Sequence, residues 1–229
     1  RGLGDVYKRQ IYDFIGFLPS RMHGAGSLTK YWAHGQNGFK LRGIEARQHS
    51  TCEWIAAIQK KSLEILKDNL NGESNYDSIT VQQKIIAKLH DEIKSLNSGK
   101  IDPKKLVVTR RVTKRIEDFS VSTNTQQALI RARRLGQDIL PGRKVRFVAT
   151  KPSPGIPESR VILLEELSDN SGFRIDSEYY EELAIRAIWA ILGPFGWSDE
   201  EIRQGHRKYT LFDFFSAFDS NPSINDSAY

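Results

Sequence analysis

Helical and extended patterns alternate along the chain, and the helical patterns dominate its middle and its end. Apolar residues recur at helical spacing over residues 50–68, 78–96 and 177–192. Ser50 and Glu53 have the spacing of a capping box, and Gly193-Pro194 ends the last of these helices. Two shorter helices are predicted, one over residues 126–135 capped by Thr125 and one from Ser198 to about Gly205.

Short apolar or alternating segments predict strands at residues 11–17, 39–44, 106–112 and 145–150, and glycine-containing irregular connections separate the first two. Residues 151–157 contain three prolines and a glycine, which predicts a loop. The polar tail from Ser216 is predicted to be disordered. The patterns together predict an α+β fold, in which a small sheet precedes a mainly helical domain with short strands.

The net charge of +6 hides an uneven distribution along the chain. Residues 100–151 hold 14 Lys and Arg against 4 Asp and Glu, a net charge of +10, whereas residues 158–200 carry a net charge of −7. Such a basic block suggests a polyanionic partner, although a solvated basic surface fits the composition equally well. The acidic pairs Glu165-Glu166 and Glu181-Glu182 are interpreted as solvated faces.

Several classes of protein are excluded. The single Cys52 permits no intrachain disulfide and no metal site built on several cysteines, and the five histidines lack metal-ligand spacing. No apolar run approaches the roughly 20 residues that a membrane-spanning helix needs, so the prediction is a cytoplasmic protein. Residues 1–10 (RGLGDVYKRQ) look like a translated adapter, and the first residue is Arg, so we expect a fragment of a longer reading frame.

Four segments carry a family resemblance through their order. They are residues 28–31 (LTKY), residues 41–47 (LRGIEAR), residues 106–119 (LVVTRRVTKRIEDF) with the Thr123, Asn124, Thr125 and Pro141-Gly142 that follow, and residues 208–215 (KYTLFDFF). In this order they resemble the C-terminal part of family B DNA polymerases, archaeal replicative ones in particular. The sequence departs from the family pattern where Thr29 replaces a lysine, Gln48 and His49 replace an arginine pair, and Lys208 replaces a glutamine.

The resemblance implies contacts with primer–template DNA for eleven residues: Lys30, Tyr31, Arg42, Arg47, Arg110, Arg111, Lys114, Arg115, Thr123, Asn124 and Thr125. The residue types suit this role. Cations followed by hydroxyl and amide groups are what duplex phosphates require. A lysine and a tyrosine in the minor groove meet acceptors that are similar in every base pair, so they can test pairing geometry without choosing a sequence.

The last segment resembles the peptide by which archaeal polymerases bind the sliding clamp (PCNA). Leu211, Phe214 and Phe215 fit that pattern, because one helical turn places an aliphatic residue and two aromatic residues on one side. The alternative is that these side chains pack on the base of the preceding domain.

The resemblance also divides the chain into residues 11–50 as the end of the palm, 51–205 as the thumb, and 206–229 as the clamp-binding peptide and tail. It implies that the parent is a DNA-directed DNA polymerase that uses Mg²⁺ and dNTP. The two aspartate motifs that hold the metal in this family do not occur in the sequence. We therefore expect the chain alone to bind DNA and clamp at the nucleoid without polymerising. The alternative is a free-standing DNA-binding or clamp-binding module.

Overall fold

The structure is a computed structural model that describes residues 12–19, 26–35, 38–70, 78–168 and 172–206. The predicted adapter segment at residues 1–10, the clamp-peptide pattern at residues 208–215 and the polar tail lie outside these residues. The described part of the chain contains no helix that is both long and apolar enough to cross a membrane. The α+β prediction is confirmed, with two small antiparallel sheets and a set of packed helices.

The first sheet is a three-stranded antiparallel meander of β1 (Tyr12–Pro19), β2 (Gly26–Gly35) and β3 (Gly38–Arg42). The pattern did not predict β2, the central strand. Trp32, Ala33 and His34 are consecutive and all buried, so both faces of this strand are covered and the usual polar–apolar alternation is missing. Trp32 packs against Phe195, with ring centroids 6.1 Å apart, and so joins the sheet to the helical region.

Three long helices form the largest part of the core. They are α1 (Glu53–Leu70), α2 (Ser78–Asn97) and α4 (Ser177–Leu192), and each contacts the other two. Their buried stripes follow the predicted helical spacing, as in Ile85, Ile86 and Leu89 of α2, none of which is more than 3% exposed. The short helix α5 (Asp199–Gln204) begins at Ser198, in the capping box predicted there, and packs on α4.

The second sheet consists of β4 (Val108–Arg111), β5 (Lys144–Ala149) and β6 (Val161–Leu163), again antiparallel and in that order. β6 was not predicted because its three residues are all buried, and so short an apolar run has no period to recognise. Helix α3 (Asn124–Arg134) packs on β5 and β6. Its cap is Thr123, whose Oγ1 accepts a hydrogen bond from the Gln126 N–H at 3.2 Å, so the prediction of Thr125 as the cap was wrong.

A buried tyrosine helps to connect the helical core to the second sheet. The Tyr180 hydroxyl, near the start of α4, donates to the Leu106 carbonyl at 2.7 Å and accepts from the Ala149 N–H at 2.9 Å. Tyr180 is fully buried, and burial raises its pKa well above the usual value of 10. The hydroxyl therefore stays protonated at neutral pH and serves as a fixed link between α4 and β5.

Candidate nucleic-acid interface

Three of the four predicted palm residues meet in one open groove at the edge of the first sheet. Tyr31 of β2 lies directly opposite Arg42 of β3, and because paired residues share a face, both side chains belong to the same side. Together with Arg47, they line a groove of about 530 Å³, to which Lys40 and Gln48 also contribute. The sheet thus brings together three of the four residues predicted from the first two segments.

Lys30 is the fourth of these residues, and it stays exposed on the opposite face of β2, because neighbouring residues of a strand alternate. Its aliphatic stem runs past Gly43, where an added Cβ would lie 3.0 Å from Lys30 Cγ and 2.4 Å from the Thr29 carbonyl oxygen. Gly43 also has a φ of +67°, a conformation that other residues rarely adopt. The glycine of the RGIE segment is therefore required by the close approach of β2.

The glutamate of that segment has a structural role. Glu45 begins a short 3-10 turn (Glu45–Arg47), and its carboxylate accepts a hydrogen bond from Gln59 Nε2 of α1 at 2.9 Å. The Gln59 Oε1 accepts from the Ala46 N–H at 2.6 Å, and Nε2 also donates to the Ala187 carbonyl at 2.7 Å. Gln59 is completely buried, so one amide fixes the groove wall to both α1 and α4.

Sequence reasoning missed Gln59. The available signal was a polar residue one helical turn after Ile55, within the apolar stripe of α1. Such a residue needs partners when it is buried, so its position indicates a connection to another element. Which element it reaches could not be read from the sequence.

Arg47 and Gln48 are held beside the groove by contacts with backbone carbonyls. Arg47 Nη1 donates to the Leu41 oxygen at 3.3 Å, and Gln48 Nε2 donates to the Gly43 oxygen at 3.2 Å. Arg47 uses one of its five N–H donors in this contact, so its fork can still bind an oxyanion. Both side chains remain exposed, as does Arg42.

The second sheet separates the two adjacent arginines of the predicted thumb segment. In β4, Arg111 pairs with Lys144 and Thr109 pairs with Arg146, so three cations share the solvent-exposed face. Arg110 pairs with Val145 on the opposite face, toward the core, where it is half-buried. Lys144 was not among the predicted contacts, because it lies outside the segments that carry the family resemblance.

The remaining predicted residues surround the loop between β4 and α3. Lys114 Nζ lies 4.7 Å from the centroid of the Phe119 ring, in a cation–π contact, and Arg115 is exposed. Thr123 caps α3, and Asn124 and Thr125 form its first turn. Gln126 Nε2 donates to the Ile116 carbonyl at 3.2 Å and so holds this loop against the helix N-terminus. Cations and neutral donors are thereby collected at one end of α3.

Comparison with known proteins shows to which family the chain belongs. The model of DNA polymerase family B matches residues 25–194, which covers both sheets apart from β1 and nearly all of the helical core. The chain belongs to the family B DNA polymerases. The predicted resemblance is therefore confirmed.

Archaeal DNA polymerases are among the curated relatives of this family B chain. It is 23% identical over 211 residues to a DNA polymerase of Thermococcus hydrothermalis, covering 87% of this chain and 12% of that protein. It is 27% identical over 174 residues to DNA polymerase 2 of Aeropyrum pernix, covering 75% of this chain and 20% of that protein. The chain thus spans less than a quarter of the length of these relatives, and 23% of a DNA polymerase of Archaeoglobus fulgidus.

A solved structure shows the same fold. The family B DNA polymerase from Pyrobaculum calidifontis superposes with a TM-score of 0.60 at 18% sequence identity. The match covers 83% of this chain and 22% of that one.

The arginines of α3 in this family B chain carry structural ion pairs. Arg131 donates to both carboxylate oxygens of Glu166, from Nε at 2.6 Å and from Nη2 at 2.8 Å. Burial alone would raise the pKa of Glu166, but the hydrogen bonds from Arg131 and the Leu163 N–H lower it below the usual range. Arg133 pairs with Glu117 at 2.8 Å, and Arg134 pairs with Glu158.

The acidic block therefore neutralises part of the basic block. Of the two acidic pairs interpreted as solvated faces, Glu165 and Glu182 are exposed as predicted, whereas Glu166 and Glu181 are half-buried, and all four residues contact arginine. Glu165 lies 3.5 Å from Arg146, and Arg203 contacts Glu181 at 2.8 Å and Glu182 at 2.5 Å. Less positive charge faces the solvent than the count of +10 suggests.

The structure offers no support for a catalytic role of Cys52. The residue is 2% exposed, and burial raises the pKa of its thiol from 9 to about 11, so the nucleophilic thiolate is scarce at neutral pH. Within the described ranges, no three His, Cys, Asp or Glu side chains are grouped so that they could hold a metal ion.

Proposed function

We propose that this chain is the part of a family B DNA polymerase that grips primer–template duplex DNA. The observation that carries the proposal is the groove in which Tyr31, Arg42 and Arg47 converge from two strands and a turn. Arginine forks bind phosphate oxygens in a bidentate manner, and a tyrosine offers both a ring and a hydroxyl. This combination suits contact with backbone and groove edge rather than recognition of a base sequence.

The exposed face of the second sheet and the start of α3 extend this surface. Arg111, Lys144, Lys114 and Arg115 supply cations there, while Asn124 and Thr125 lie at a helix N-terminus, where backbone N–H groups attract anions. Family membership favours the polymerase over the free-standing module. The parent enzyme would be a DNA-directed DNA polymerase whose dNTP and Mg²⁺ are bound by residues outside this chain.

We further propose that Leu211, Phe214 and Phe215 tether the parent enzyme to a sliding clamp. Their aliphatic–aromatic spacing supports this role, since anchors of this kind fill apolar pockets on a partner. In this view the described residues hold the DNA and the segment after them holds the clamp, with both acting at the nucleoid.

The salt dependence of DNA affinity tests whether the groove binds DNA. The 229-residue chain is titrated into labelled primed duplex, followed by fluorescence anisotropy, between about 50 and about 200 mM salt. Replacement of Arg42 and Arg47 together by alanine should reduce the slope of log K against log salt by about two units, because each lost phosphate contact releases one fewer counterion.

Arg203→Ala is the matched control. Arg203 is a partly exposed arginine of α5 whose guanidinium is already occupied by Glu181 and Glu182, so its loss should leave the slope unchanged. An unaltered slope in the Arg42/Arg47 variant, or an equal change in the control, would refute the proposed groove.

A further inference from the structure

A second, smaller cleft adjoins the groove and is not used by the proposed contacts. It has a volume of about 150 Å³ and lies between the segment after the Glu45–Arg47 turn, strand β4 and helix α4. Gln48 lines both the cleft and the groove, so the two are neighbours. Ser50, Thr51, Arg110 and Arg186 all line the cleft, and the two arginines come from different elements, β4 and α4.

Arg110 is a half-buried cation that forms no ion pair with a carboxylate in the part of the chain that the structure describes. Strand alternation directs it to the core side of β4, beside Val145, which is 2% exposed. It lies near Cys52 and Tyr179, where its charge opposes the effect of burial on both groups. Burial nevertheless raises the pKa of the Cys52 thiol and of the Tyr179 hydroxyl above their usual values, so both groups are uncharged at neutral pH.

No carboxylate among the described residues forms an ion pair with Arg110 or with Arg186. The one carboxylate that lines the cleft belongs to Glu45, and it is held by the buried Gln59 amide. The arginines of α3 differ in this respect, since Arg131 and Arg134 each have a carboxylate partner within the chain. Arg110 is half-buried and Arg186 is exposed, so an anion held at both guanidinium groups would offset the cost of removing the Arg110 charge from water.

We propose that this cleft binds one phosphate group, clamped between Arg110 and Arg186, with Gln48, Ser50 and Thr51 supplying neutral donors. Two arginine forks from different elements, together with hydroxyl and amide groups, match the charge and the many acceptor oxygens of a phosphate. The source of the phosphate is the backbone of the nucleic acid in the adjoining groove or a free phosphate ion. The first source rests on the proposed function, whereas the second does not.

The DNA arm of the test repeats the salt titration with Arg110→Ala/Arg186→Ala. Loss of one phosphate contact should reduce the slope of log K against log salt by about one unit. Over a fourfold increase in salt, the affinity of the variant should therefore fall by roughly threefold less than that of the unaltered chain. Arg110→Lys/Arg186→Lys keeps the charges but not the forks, and should restore most of the slope with weaker binding. Arg203→Ala again serves as the control.

The free-ion arm measures thermal unfolding of the same proteins in inorganic phosphate without DNA, with chloride at matched ionic strength. A ligand that binds only the folded chain raises its melting temperature. Phosphate should raise the melting temperature of the unaltered chain more than that of the double-alanine variant. A selective increase with an unchanged DNA slope would identify free phosphate as the source.

The outcomes separate the two proposals. If the double-alanine variant changes neither the slope nor the response to phosphate, the phosphate site is refuted. An equal change in the Arg203→Ala control would refute it as well. If replacing Arg42 and Arg47 leaves the salt slope unchanged while phosphate still stabilises the chain through Arg110 and Arg186, the phosphate site is supported and the proposed DNA-binding groove is refuted.

Discussion

The Tyr180 hydroxyl provides a direct test of how the helical core is joined to the second sheet. Tyr180→Phe removes one oxygen atom and leaves the ring in place, so it creates almost no cavity. Two buried backbone groups lose a partner, the Ala149 N–H and the Leu106 carbonyl. Each unsatisfied buried group costs about 1–3 kcal/mol, and a carbonyl tolerates the loss better than an N–H does.

We therefore expect the free energy of unfolding to fall by about 3 kcal/mol. For a chain of this size, this corresponds to a decrease of roughly 6–12 °C in melting temperature. Urea unfolding followed by circular dichroism measures the midpoint and the slope m, and only the midpoint should change. Tyr179→Phe is the matched control, since its ring is only half-buried, and its loss should be below about 1 kcal/mol.

The pH dependence gives an independent check. Burial raises the pKa of Tyr180 in the folded chain, so the unfolded chain releases this proton first as the pH rises. The stabilisation is complete below pH 10, the usual value for tyrosine, and is lost progressively above it. The stability difference between the unaltered chain and Tyr180→Phe should therefore narrow above pH 10. A loss below about 1 kcal/mol, or a difference that is constant with pH, would refute the linking role.

Two further predictions concern the sheet edge and the tail. Gly43→Ala should lower the free energy of unfolding by more than about 2 kcal/mol in urea unfolding, because the added Cβ meets the Thr29 carbonyl oxygen. Gly38→Ala is the control: Gly38 has a φ of +83° but open space around it, so this variant should lose only about 1 kcal/mol. A similar loss in both variants would mean that the close approach of β2 is unimportant. Phe214→Ala/Phe215→Ala should abolish binding to the cognate sliding clamp in a pull-down assay and leave the melting temperature nearly unchanged. A large loss of stability would instead indicate that these rings pack on the domain.

The elements that the sequence predicted well are those whose signals are local. Helix α4 begins and ends at the predicted Ser177 and Leu192, since its apolar stripe lies within it and its stop, Gly193-Pro194, follows directly. Strand β2 was missed because Trp32, Ala33 and His34 are consecutive and all buried, so neither face of the strand meets water there. A pattern of period two arises only where one face meets water, so this strand left none to detect.

The candidate site shows the same difference between features with a local sequence signal and features that depend on the folded chain. Tyr31, Arg42 and Arg47, which motif order assigned to the DNA contacts, lie together because they belong to paired strands and the turn that follows. Motif order could not distinguish Arg110 from Arg111, since their opposite orientations depend on the register of β4 with β5. The cleft that contains Arg186 was also beyond reach, because it joins residues from three segments that meet only after folding.

The distribution of ion pairs explains why net charge alone is a poor guide to the binding surface. Arg131 and Arg134 are engaged by Glu166 and Glu158, which brace α3 against the segments around β6. A cation paired in this way releases no new counterion when DNA approaches, so it adds little to affinity. Cations that have no carboxylate partner among the described residues, such as Arg111 and Arg110, are the ones able to respond to phosphate. Some arginines of the folded chain thus form ion pairs that stabilise the fold, whereas others are able to bind phosphate. Only the arginines of the second group should contribute to the salt dependence of DNA affinity.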